Sequence, residues 1–269
     1  MITIIKVGGG IVEDAASLDR LLNDFSLVNG DKILVHGGGR SATRLASQLG
    51  IESKMVNGRR VTDAEMLRVV TMVYAGLVNK NIVANLQARQ LNAIGLTGAD
   101  GNYLLAHRRP PLSIVNSETQ EKETVDYGFV GDVDGCDASV LLSLLRQNIV
   151  PVLAPLTHDG KGSLLNTNAD TIASTAAIAL AQAGEEVTLI YCFEKAGVLR
   201  DADDDSSVIP HITEEEFPQL VKDGTIQGGM IPKIENALAA CRAGVRRVII
   251  THANNLSQPE KGTVITLTT

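Results

Sequence analysis

The 269-residue sequence contains no tryptophan, and only 3% of its residues are aromatic. With a formal net charge of −7 it has neither the basic face nor the stacking rings that a nucleic-acid partner requires. The acidic excess serves solubility. Cysteine is scarce too: Cys136, Cys192 and Cys241 are odd in number and far apart. That spacing fits a reducing cytosol and offers no disulfide framework or zinc-ligand set. No apolar run reaches membrane-spanning length, and no signal or transit segment precedes the first strand. A cytoplasmic protein with no membrane partner is the expectation. The 44% hydrophobic content is enough for one large α/β domain or two closely joined lobes.

What is present is concentrated at the start. Thr3-Ile4-Ile5-Lys6-Val7 reads as a short buried strand running into Gly8-Gly9-Gly10. A buried ammonium is costly without a negative partner, and successive glycines let backbone N–H groups face an anion. The combination points to phosphate. In a P-loop, however, the lysine follows its glycines, and here it precedes them. The competing reading, a strand-end lysine reaching solvent, fits this stretch equally well.

Further along, Leu18, Leu21, Leu22 and Phe25 recur at helical spacing. Ile33-Leu34-Val35 forms a second apolar strand ending in His36-Gly37-Gly38-Gly39, followed by a helix over Ala42–Leu49 with Gly50 closing it. Strand, glycine turn and helix, repeated, is the pattern of a parallel α/β sheet, in which ligands collect at the carboxyl ends of strands. Gly37–Ala42 also matches a dinucleotide-type G-x-G-x-x-A, but it lies on the second strand and no acidic residue follows at the required distance. Thr62 and Glu65 predict a capping box for a long helix interrupted at Gly76 and ending near Asn92. Arg59 and Arg60 before that helix suit a carboxylate. Tyr103–Val133 reads as one or two β-hairpins. Pro151 and Pro155 place the strand Ile149–Ala154 near a sheet edge or bend. Asn166–Asp170 leads into the small-residue helix Thr171–Ala183. Asp201–Asp205 lacks the glycine and glutamate of a calcium loop and reads as a solvated acidic turn. Thr213 and Glu216 predict a second capping box, and a helix follows Gln227–Lys233.

Six stretches, in this order, resemble the amino acid kinase family, and within it most closely the members acting on N-acylated glutamate. They are Ile4–Gly9, Val35–Gly39, Asn57–Asp63, Gly128–Val133, Asn166–Asp170 and Gly228–Lys233. The resemblance runs end to end and implies a three-layer αβα sandwich around a mainly parallel sheet, with added β-hairpins. It implies an N-terminal lobe (1–173) for the acyl amino acid and dimerisation, and a C-terminal lobe (174–269) for ATP, on one continuous sheet. By position, Lys6 and Lys233 correspond to the catalytic lysines and Asp170 to the aspartate that holds both. Gly38, Gly39, Arg60 and Asn166 correspond to substrate contacts. Gly8 and Gly9 correspond to amides facing the phosphoryl group, and Glu194, Lys195, Thr225, Ile226 and Gln227 to nucleotide contacts. The implied reaction is ATP-dependent phosphorylation of the side-chain carboxylate of an N-acylated glutamate, the second step of arginine biosynthesis. A kinase for another acidic amino acid, such as carrier-bound aminoadipate, is the alternative. Such a carboxylate is already ionised at neutral pH, so no general base is needed, and Mg²⁺ would arrive with ATP. Tyr191–Gly197 departs from the Thr/Ser-Asp-Val pattern usual in relatives. Arg59 stands where an apolar residue is common, which would suit an N-succinyl group. The chain begins at its first strand, so a homodimer without arginine feedback is expected.

Overall fold

The computed structural model describes residues 1–56, 58–115, 122–201 and 203–268. Asn57 of the Asn57–Asp63 stretch and Ala202 of the acidic turn lie outside them, as do residues 116–121 of the region read as hairpins. An eight-stranded sheet forms the middle layer. Its strands are β1 (Ile2–Val7), β2 (Asp31–His36), β3 (Ala93–Leu96), β4 (Val150–Leu153), β5 (Val187–Phe193), β6 (His211–Thr213), β7 (Arg247–His252) and β8 (Thr263–Thr266). The spatial order is β6-β8-β7-β5-β1-β2-β4-β3. All neighbours are parallel except β7 and β8. The glycine-ended strands β1 and β2 are adjacent and in register, Val7 opposite His36, so their turns emerge side by side at one sheet edge.

Alternation along β1 assigns its side chains to two cores. Ile5 and Val7 pack with Leu21, Leu22 and Phe25 of α2 (Ala15–Leu27), Ala42 and Ala46 of α3 (Gly39–Gln48), and Met66 and Val69 of α4 (Ala64–Thr71). Ile2 and Ile4 face the other layer. There they join Leu141 of α6 (Ala138–Arg146), Ile172 and Ala176 of α7 (Ala169–Gln182), and Ile234 and Leu238 of α9 (Met230–Arg242). Lys6 shares the parity of Ile2 and Ile4, which directs it toward α7. The alanines of α7 let that helix lie close to the sheet: Ala173, Ala176 and Ala177 are fully buried.

Three local expectations change. The cap of α4 is Asp63, whose side chain accepts from Met66 N (2.8 Å). Thr62 cannot serve because it is fully buried and held by backbone bonds to Tyr127 and Phe129. Gly128 makes that approach possible: it has φ +72, and a Cβ there would lie 2.2 Å from Thr62 O. Gly76 does not interrupt the helix. It lies within a π-helical segment, Met72–Val78, which joins α4 to α5 (Asn79–Ala88). Proline at 151 does not put β4 on the edge; the strand is one in from it. Pairing with β2 begins at Val152, after the proline that has no N–H to give.

Several expectations hold. Gly50 closes α3 with φ +71. Thr213 and Glu216 exchange hydrogen bonds, Thr213 N and Oγ1 donating to the carboxylate and Glu216 N to Thr213 Oγ1. The hairpin Leu112–Val115/Lys122–Val125 extends from a smaller four-stranded sheet, formed by Leu104–Arg108, Gly131–Cys136, Leu156–His158 and Leu164–Asn166. This sheet brings Arg109, Asp132 and Asn166 over the carboxyl ends of β1 and β2.

Candidate active site

The two glycine turns touch. A Cβ on Gly9 would lie 3.6 Å from Gly38 N and 3.8 Å from Gly39 N, and one on Gly37 would lie 3.3 Å from Gly9 N. Gly8 precedes the short helix α1 (Gly9–Glu13) and Gly38 precedes α3, and neither glycine has a side chain to cap its helix. Glu13 Oε1 accepts from Ser41 N (2.5 Å) in the first turn of α3, which leaves the leading amides of Gly9 and Gly39 to face an anion, with the α3 dipole adding positive potential. Beneath them, His36 fixes the second turn. Its buried ring donates from Nδ1 to Gly37 O (2.8 Å), and its Nε2 accepts from Asn79 Nδ2 (3.0 Å), which also donates to Val152 O (3.0 Å). Burial pushes the imidazole down to about 4, so it is neutral near pH 7.

A cavity lies on each side of this double turn. One, of about 460 Å³, is lined by Gly8–Gly10, Gly37–Gly39, Arg40, Phe193, Glu194, Lys195 and Lys233, among others. The other, of about 510 Å³, includes Lys6, Gly37–Gly39, Arg59, Arg60, Arg109, Asp132, Asn166 and Asp170. Gly37, Gly38 and Gly39 border both. Lys6 does not reach for solvent. It is buried, and its Nζ sits 2.7 Å from Asp170 Oδ1. Asp170 lies in the first turn of α7, capped by Asn168, whose Oδ1 accepts from Asp170 N (2.7 Å). A carboxylate there is favoured by the helix dipole. Lys233 lies in the first turn of α9, and burial moves its ammonium below the usual lysine range, with Asp170 opposing and Lys6 reinforcing the shift.

The second cavity holds preset cations. Arg60 is buried, donating from Nη2 to Gly39 O (2.8 Å) and Thr43 Oγ1 (2.9 Å), and from Nη1 to Ser53 Oγ. Asn166 Nδ2 donates to Thr62 Oγ1 (3.0 Å). Arg109 makes a two-pronged pair with Asp132, its Nε donating to Oδ1 (3.0 Å) and Oδ2 (3.1 Å). That pair holds the Asp132 carboxyl below its ordinary range.

Of the residues singled out in the sequence, Lys6, Asp170, Arg59, Arg60 and Asn166 meet in the second cavity and Gly8, Gly9, Glu194, Lys195 and Lys233 in the first; Gly38 and Gly39 belong to both. Asp170 makes an ion pair with Lys6 but not with Lys233, on which it acts only through its charge. Thr225, Ile226 and Gln227 line neither cavity. Ile226 is buried in the core, Thr225 bonds to Asp223, and Gln227 bonds to Gly224 O. Arg40, Arg109, Asp132 and Phe193 escaped sequence reasoning. Asp132 lies inside a quoted motif and Arg109 in an Arg108-Arg109 pair, but their 23-residue separation hides the contact.

Two cavities sharing a glycine-amide cradle, with Lys233 lining one and Lys6 the other, define an α/β phosphotransferase site. The sequence profile described as "Amino acid kinase family" matches residues 1–252, and the chain belongs to that family. It is 64% identical to the acetylglutamate kinase of Phocaeicola vulgatus over 98% of both chains, and 62% identical to that of Bacteroides thetaiotaomicron over 96% of both. Among solved structures it is similar to smu.665 from Streptococcus mutans, with a TM-score of 0.75 and 28% identity over 99% of both chains. The Neisseria gonorrhoeae N-acetylglutamate synthase complex with coenzyme A and N-acetyl-glutamate shares the fold. Its TM-score is 0.77 at 22% identity, covering all of this chain and 60% of that one.

The His36 geometry yields a pH prediction. An unfolded imidazole near 6.5 binds protons that the buried one, at about 4, rejects. Stability should therefore fall as pH drops from about 6.5 to 4, by at most about 1.4 kcal/mol per unit. Carboxyl groups held low, such as Asp126 and Asp132, titrate below this window. Urea midpoints across the range should show the slope in the wild type and a flattened slope in His36→Asn.

Proposed function

We propose that the chain transfers the γ-phosphoryl group of ATP to the side-chain carboxylate of N-acetyl-L-glutamate, forming an acyl phosphate in arginine biosynthesis. The observation that carries this is the placement of Lys6 and Lys233 on opposite sides of the shared glycine cradle. The curated relatives bearing the acetylglutamate kinase name support the acceptor. MgATP is the donor. Among the described residues no cluster of three His, Cys, Asp or Glu side chains is arranged to hold a metal, so Mg²⁺ is treated as part of the substrate.

The chemical difficulty is electrostatic. An ionised carboxylate must approach a polyanion, and charge on the phosphoryl oxygens must be stabilised as it moves. Arg60, already fixed by three hydrogen-bond acceptors, receives the acceptor's α-carboxylate. Lys6 screens the attacking oxygen and Asp170 orients it. The amides of Gly9, Gly38 and Gly39 face the phosphoryl oxygens, while that of Gly8 is held by Cys192 O (3.2 Å). Lys233 stabilises the charge that accumulates on the leaving β-phosphate. No proton needs removing, so the site requires no general base. We assign residues 1–173 to acceptor binding and 174–269 to ATP binding, on the continuous sheet.

A second acceptor is favoured by a specific observation. Beyond Arg60, the acceptor cavity carries Arg59 and Arg109, and Arg109 has a buried Nη1 with no hydrogen-bond partner. An acyl group bearing its own carboxylate, N-succinyl, would meet those cations. We also assign a cytoplasmic homodimer, supported by Met72 and Leu77, which expose 50% and 66% of their surface on the helical run Ala64–Ala88. That run has the length and composition of a membrane span, but its other face packs in the core through Val69, Val70, Val73, Ile82 and Leu86.

Lys6→Ala and Lys233→Ala should each lower kcat by about two orders of magnitude or more, in variants that circular dichroism shows to be folded. Near-normal turnover in either would remove its assigned role. In a hydroxylamine-trapping assay with MgATP, N-acetylglutamate should yield acyl phosphate. N-succinylglutamate should also be used, with Arg59→Ala losing activity selectively toward it; equal losses on both acceptors would refute the succinyl reading. Light scattering should give twice the chain mass, and Leu77→Asp should shift it toward the monomer.

A further inference from the structure

Phe193, the last residue of β5, has no part in the chemistry above, yet both lysines rest on it. Lys233 Nζ lies 4.0 Å from its ring centroid and Lys6 Nζ lies 5.0 Å from it. Two ammonium groups converging on one point repel each other, and Lys6 contributes to the lowering of Lys233. Asp170 is in ion-pair contact with Lys6 only. Among the described residues no carboxylate forms an ion pair with Lys233; Asp170 attracts it through its charge, and the π face of Phe193 is the surface in contact with it.

The ring is itself anchored. It stacks on Tyr191 with centroids 5.9 Å apart and planes 17° from parallel. Tyr191 is buried, and its hydroxyl donates to Asp170 O (3.4 Å) at the start of α7. Phe193 also holds its place in the sheet opposite His252 of β7. The chain of contacts therefore runs from α7 through Tyr191 and Phe193 to both lysines. A carboxylate in the same position would hold Lys233 more tightly, but it would cancel the charge that the leaving phosphate needs and repel the nucleotide. The quadrupole of a neutral ring orients the ammonium and yields it to a stronger anion.

We propose that Phe193 is a positioning residue, whose ring sets the separation of Lys6 and Lys233 for phosphoryl transfer. This rests on the assignment of the two lysines to opposite sides of the reaction. The test compares Phe193→Leu, Phe193→Tyr and a series with one, two and three ring fluorines at position 193, which drain the π face with little change in shape. Phe193→Leu should lower kcat about tenfold, with KM for MgATP and N-acetylglutamate within about twofold. Phe193→Tyr should keep near-normal kcat, and kcat should fall stepwise with fluorination. Wild-type kcat in Phe193→Leu, or a flat fluorine series, would overturn the proposal; the fluorine series decides if the leucine variant misfolds. Lys6→Ala and Lys233→Ala run alongside. If both are inactive while Phe193→Leu is normal, only the positioning role falls. If either lysine variant is active, the lysine assignment falls and the proposal with it.

Discussion

The ammonium of Lys6 is a charge buried on the central strand, and much of the site follows from the need to compensate it. A cation there would be strongly destabilising alone. Its partner comes from the opposite half of the chain, since Asp170 opens α7 and reaches Nζ at 2.7 Å. For that contact α7 must lie close to β1, which explains the run of fully buried alanines on its inner face. The ion pair thus ties the packing of one helix layer to the chemistry at the sheet edge.

Parallel register supplies the second constraint. Val7 and His36 are opposite each other, so the glycine turns that follow them leave the sheet at the same level and meet. A shift of one residue would separate the two sets of amides and turn Lys6 away from α7. His36 secures the register from below through a neutral ring bonded on both nitrogens. The cradle is therefore fixed by backbone geometry, and the side chains around it decide only which anion enters from each side.

Much of this could be read in the sequence because it depends on local signals. Strand, glycine turn and helix are contiguous, and Lys6, Arg60 and Asp170 sit beside turns or caps that mark them. What stayed hidden depended on long-range contact. Arg109 and Asp132 come together through the antiparallel pairing of Leu104–Arg108 with Gly131–Cys136, which sets Arg108 opposite Gly131. Thr62 matched a capping pattern, but its burial against Gly128 overrode that local preference in favour of Asp63. The resemblance implies nucleotide contacts at Thr225, Ile226 and Gln227, whereas Ile226 has the burial of a core residue. Nothing in the spacing of Phe193 and Lys233 signals that one ring serves two lysines.

The two cavities solve the problem of binding an anion in different ways. In the cavity proposed for the acceptor the groups are held before any ligand contact: Arg60 by Gly39, Thr43 and Ser53, Arg109 by Asp132, and Asn166 by Thr62. Little side-chain entropy remains to be lost, so discrimination among small acids rests on fixed geometry. In the cavity proposed for the nucleotide the cradle is backbone, and the charged side chains Arg40 and Glu194 are exposed. Arg40 and Glu194 form an exposed pair at 3.4 Å across Gly10, where a Cβ would collide with Glu194. An exposed pair of that kind is weak and can open when phosphate competes for Arg40. On the proposed assignment specificity is thereby concentrated on the acceptor, and the donor side is left free to accept and release a larger, more highly charged nucleotide.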